Sequence, residues 1–82
     1  MFEWLRKITA AYTEEEYNEW LEESPVDFHD KEDIGEALMY VSEDTGYEPE
    51  FLGEILYDML KEGEQVKEAF RFTVAVSYEQ DW

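Results

Sequence analysis

The sequence predicts a small α+β domain, mostly helical, with about four short helices followed by one C-terminal strand. Three observations lead there. Apolar residues recur at helical spacing through the segments that precede Gly63. Capping residues punctuate those segments. Beyond residue 70 the apolar period changes to two.

Met1, Leu5, Ile8 and Tyr12 stand at helical spacing, so residues 2–11 read as a first helix. Thr13-Glu-Glu-Glu16 is a capping box that starts a second helix, running to about Glu23 with Tyr17, Trp20 and Leu21 as its inner stripe. Ser24-Pro25 stops it, because proline disfavours helical geometry in the preceding residue. Asp30 caps a third helix over residues 31–44, whose apolar face is Ile34, Ala37, Leu38 and Val41. Thr45-Gly46 ends it with a left-handed cap. Pro49 suits the first turn of a fourth helix, 49–61, expected to bury Phe51, Leu52, Ile55, Leu56, Met59 and Leu60. Gly63 closes that helix, and residues 64–69 have room for one more turn. Phe72, Val74, Val76 and Tyr78 then alternate with Arg71, Thr73, Ala75 and Ser77, the pattern of a half-buried strand. Such a strand needs a partner: either the Ile8–Tyr12 segment, if extended, or the same strand of a second molecule, giving a homodimer.

Composition narrows the function more than any motif does. The chain carries 23 Asp and Glu against 6 Lys and Arg, a net charge of −17 in 82 residues. Disordered acidic chains lack aromatic residues, whereas here 44% of residues are apolar and 17% aromatic, enough for a small ordered core. A compact chain of this length spans about 30 Å, and the same length of duplex DNA carries roughly 18 charges. The protein therefore matches DNA in charge per unit length. That opposes direct binding to nucleic acid and favours a basic, nucleic-acid-binding protein as partner. With no cysteine there is neither a disulfide framework nor a thiolate metal site. No apolar run approaches the ~20 residues of a membrane span and no signal-peptide core is visible, so a cytoplasmic protein without membrane contact is expected.

The acids are ordered along the helices. Glu50, Glu54, Asp58 and Glu62 follow one another at i+4, as do Glu15, Glu19 and Glu23. Four residues of helix rise about 6 Å, so each set makes a row of carboxylates at that interval. Five like-charged i,i+4 pairs cost roughly 1–2.5 kcal/mol, which a merely soluble helix avoids with interspersed lysines. These seven residues, with Glu32, Asp33 and Glu36 of the third helix, are the candidate partner-binding set. Acidic surfaces also suit halophilic proteins and general solubility. Exposed aromatics among Tyr40, Tyr47, Tyr57 and Trp82 are candidate hot-spot contacts.

Catalysis finds no support. His29, the single histidine, lies between Asp27 and Asp30 in a loop, and no serine has a visible base partner. Carboxylate pairs occur on every helix and so single out no acid–base site. An EF-hand loop begun at Asp30 places Gly35 correctly but puts Ile34 where an oxygen ligand belongs. No enzyme activity, cofactor or metal is expected.

Two stretches resemble known families. Glu43-Asp44-Thr45-Gly46 and Ile55-Leu56-Tyr57-Asp58 resemble part of the ArdA antirestriction proteins, over about 20 residues with motifs of low specificity. The chain is much shorter than ArdA and corresponds to one module at most. That resemblance, shared with Ocr-type phage proteins, implies a DNA mimic that occupies the DNA groove of a host restriction enzyme. Small acidic anti-CRISPR proteins, which block CRISPR effectors, are similar in size and composition. Tyr12-Thr13-Glu14-Glu15-Glu16-Tyr17 resembles a helix start in the immunity proteins of nuclease bacteriocins, which implies instead an adaptor for one protein such as a nuclease toxin. Their paired tyrosines followed by proline are absent. The expectation is thus a DNA-mimic inhibitor of a host defence protein, with a specific protein-binding adaptor as alternative.

Overall fold

Five helices and one 3₁₀ turn account for the architecture, and no strand occurs among the described residues. The structure, a computed structural model, describes residues 2–79; Met1 of the first apolar stripe and Trp82 of the aromatic set lie outside them. The helices are α1 (Phe2–Arg6), α2 (Glu14–Glu22), α3 (Lys31–Thr45), α4 (Pro49–Lys61) and α5 (Val66–Glu79), with the 3₁₀ turn Lys7–Ala10 following α1. Helix α5 is central: α4, α3, α2 and the 3₁₀ turn all pack on it. The Cα radius of gyration is 11.6 Å and the principal extents are 27 × 26 × 21 Å.

The C-terminal strand is the main correction: the domain is all-helical, not α+β. Val66, Ala69, Phe70, Thr73, Val74, Ser77 and Tyr78 stand at i, i+3, i+4, i+7, i+8, i+11 and i+12, a helical stripe in which two members are hydroxyls. Thr73 and Ser77 are buried with the apolar members. Their hydroxyls donate to the carbonyls four residues back, Thr73 Oγ1 to Ala69 O at 2.8 Å and Ser77 Oγ to Thr73 O at 2.7 Å. Counting them as outward polar residues produces the false alternation. Phe72, an inward residue of the expected strand, is 48% exposed. A helix also pairs its backbone groups internally, which a lone strand cannot do. The expected strand-mediated homodimer therefore loses its structural basis. Nor is Ile8–Tyr12 an extended partner, since Lys7–Ala10 is a 3₁₀ turn.

Capping follows local chemistry. Thr13 Oγ1 accepts from Glu16 N at 3.2 Å, and Glu16 Oε2 accepts from Tyr12 N at 3.2 Å. Asp30 Oδ1 accepts from Glu32 N at 3.0 Å at the start of α3. Gly46 takes φ 86° at its end, and Pro49 opens α4.

The core joins segments far apart in sequence. Trp4 and Trp20 stack with ring centroids 4.2 Å apart and planes 4° from parallel. Each indole also donates to the other's backbone carbonyl, Trp4 Nε1 to Trp20 O at 2.8 Å and Trp20 Nε1 to Trp4 O at 2.6 Å. Phe70 lies 6.1 Å from Trp4 and 6.2 Å from Trp20, and Phe28 meets its edge at 5.3 Å. Leu5, Ile8, Val41, Leu52 and Val74 are also fully buried. Tyr12, placed on the inner stripe by its spacing, is instead 81% exposed. The expected burial of α4 is also corrected: only Leu52 is buried, Ile55, Leu56 and Met59 are half-buried, and Phe51 and Leu60 are exposed. Five helices around a core this small leave α4 too few neighbours to cover its wide apolar stripe.

A polar contact ties α1, α3 and α5 together at one end. The Arg6 guanidinium pairs with Asp44 through both Nη2 and Nε, and Tyr78 Oη donates to Asp44 Oδ2 at 2.8 Å. The Arg6 hydrogen bond holds the Asp44 carboxyl below its usual range, against the opposing effect of burial. Burial, then the bond to Asp44, pushes the Tyr78 phenol up. A depressed carboxyl stabilises the fold above its unfolded value and loses that contribution as pH falls through the folded value; a raised phenol contributes below its unfolded value and loses it as pH rises. The contact should therefore contribute in full between about pH 4 and pH 10. Denaturation midpoints measured across pH should show Asp44→Asn destabilised near neutrality, with its deficit against the parent shrinking below about pH 4. A deficit that stays constant into acid would mean that ionised Asp44 contributes nothing.

Candidate functional site

Helix geometry places the two acidic rows on solvent faces. In α4 the inner side chains are Leu52, Ile55, Leu56 and Met59, so Glu50, Glu54 and Asp58 fall on the opposite side, and Glu62 follows at the C-cap. In α2 the inner residues are Trp20, Tyr17 and Leu21, which turns Glu15, Glu19 and Glu23 outward. All seven are exposed, as are Glu32 and Glu36 of α3. Among the described residues, the carboxylate of none of these nine takes part in a hydrogen bond or an ion pair. The tenth, Asp33, is different: it is half-buried and its Oδ2 accepts from Asp27 N at 3.1 Å, which makes it an anchor for the loop before α3.

Both arginines and Lys61 are directed elsewhere. Arg6 pairs with Asp44, and Arg71 pairs with Glu14 at 2.8 Å and Glu68 at 2.9 Å while lying over the Tyr17 ring. Lys61 sits 4.8 Å from the centroid of the Tyr57 ring. The two arginines thus bind the helices together at acids outside the rows, while Lys7 lines a cleft with Glu19 and Glu23 of the α2 row without an ion pair among the described residues. The rows do not merge into one track, because α2 and α4 each pack on α5 rather than on each other. Rows of like charge repel, and salt screens repulsion between exposed charges. Raising the salt concentration from about 0.02 to 0.5 M should therefore stabilise the fold by on the order of 1 kcal/mol, seen as a rise in Tm of roughly 4–8 °C. A Tm that does not move with salt would mean the rows are electrostatically idle.

A second surface was not foreseen from the sequence. Phe28, Ile34, Leu38, Leu56, Leu60 and Val66 line an apolar groove of about 650 Å³ between α3, α4 and the start of α5. Tyr57, 60% exposed, forms part of one wall, and Gly35 of α3 forms part of the other. Of the candidate hot-spot aromatics among the described residues, Tyr57 is exposed and Tyr40 and Tyr47 are half-buried. Gly35 is a costly choice in the middle of a helix, about 1 kcal/mol worse than alanine. A Cβ added there meets nothing within 4 Å, so packing inside the chain does not require the glycine. His29, the single histidine, and Lys31 also line the groove. Among the described residues no group of three or more His, Asp or Glu is arranged to hold a metal ion, and no helix is long and apolar enough to cross a membrane.

The residues of the Glu43–Gly46 stretch serve the fold. Asp44 pairs with Arg6, Thr45 Oγ1 donates to Val41 O at 2.7 Å, and Gly46 is the left-handed cap. Comparison with known proteins adds no relative: no protein-family model matches the chain, and neither a curated protein nor a solved structure does.

Proposed function

We propose that the protein is a DNA-mimic inhibitor: it occupies the basic DNA-binding surface of another protein, such as a host restriction enzyme or CRISPR effector, and blocks access of DNA. One observation carries the reading. Nine outward carboxylates on three helices and their C-caps make no ion pair among the described residues, in a body of net charge −17 whose longest extent is 27 Å. Duplex DNA of that length carries roughly 16 charges. Helices hold these carboxylates at regular intervals, so a surface built to neutralise phosphates would meet a prearranged substitute. Association would be steered by the long-range field and would slow as salt is added.

The test is competition. The tagged protein is used to capture partners from a lysate of its host, with and without added duplex DNA, and the captured protein is then titrated with labelled duplex. Displacement of the partner by duplex, and of duplex by the protein, is the expected result. A captured partner that still holds duplex at full affinity while bound would defeat the proposal. That outcome would favour the alternative, an adaptor or immunity protein that recognises one partner through its apolar groove.

A further inference from the structure

We draw no further inference here: the strongest candidate, the apolar groove between α3, α4 and the start of α5, carries nothing because no feature of the structure shows what covers it.

Discussion

Glu54→Lys combined with Glu62→Lys should make the protein more stable and less inhibitory at once. The two substitutions add two charge units each, taking −17 to −13. Along the α4 row the like-charged neighbours are Glu50 with Glu54, Glu54 with Asp58, and Asp58 with Glu62. After the double substitution every one of these pairs joins a carboxylate to an ammonium. Each conversion replaces a repulsion of about 0.2–0.5 kcal/mol by an attraction of similar size. Lysine at the C-cap also complements the helix dipole. The sum is a gain of roughly 1–3 kcal/mol, to be measured by urea denaturation. Inhibition should move the other way. If partner recognition is electrostatic, the association rate with the captured partner should drop about tenfold or more, and its salt dependence should flatten. Opposite movements of stability and potency cannot be blamed on misfolding. Unchanged potency would remove α4 from the interface and leave the α2 row and the groove as the remaining candidates.

Phe70→Ala should all but abolish the native state. Phe70 of the last helix is fully buried at the junction of Trp4, Trp20 and Phe28, and so ties that helix to the first and second helices and to the loop before α3. Truncating a buried phenylalanine costs about 3–5 kcal/mol. A domain this small has a total stability near the low end of roughly 5–15 kcal/mol, so most of the margin disappears. The expected readouts are loss of the near-ultraviolet circular dichroism from the stacked indoles and a denaturation midpoint close to zero urea. A Phe70→Leu variant should recover much of the loss, because it restores most of the volume. A cooperative Phe70→Ala protein with little change in midpoint would mean that the indole pair alone organises the core.

The two effects differ in how visible their causes were. Rows at i+4 are a matter of spacing along one helix, so Glu50 through Glu62 could be placed on a solvent face from residue types alone. The same holds for the caps at Thr13, Asp30 and Gly46, whose bonds reach no further than neighbouring residues. The Trp4–Trp20 pair has no such local trace. Its hydrogen bonds span 16 residues, and nothing in the order of residues says that each indole will find the other's carbonyl. Asp33 shows the opposite error: a carboxylate in the right place for a surface role was taken up by the backbone of Asp27.

Helix α5 shows why the tail misled. Alternation of Phe72, Val74, Val76 and Tyr78 with Arg71, Thr73, Ala75 and Ser77 satisfies a strand template, and the burial of Thr73 and Ser77 with the exposure of Phe72 marks a helical stripe instead. Hydroxyls that bond to their own helix backbone are compatible with a core, a fact invisible to any count of apolar letters. Tertiary context then overrode the local β preference, as it commonly does.

The order of residues was thus sufficient for the quantities that depend on near neighbours: the charge, three of the helices with their caps, and the outward direction of the acidic rows. Anything requiring two distant segments to meet was settled by assembly. That includes the helical state of the tail, the indole pair around Phe70, and the apolar groove that α4 leaves uncovered. Local bonds are written in adjacent letters, whereas burial depends on which surfaces remain once all five helices have found their places.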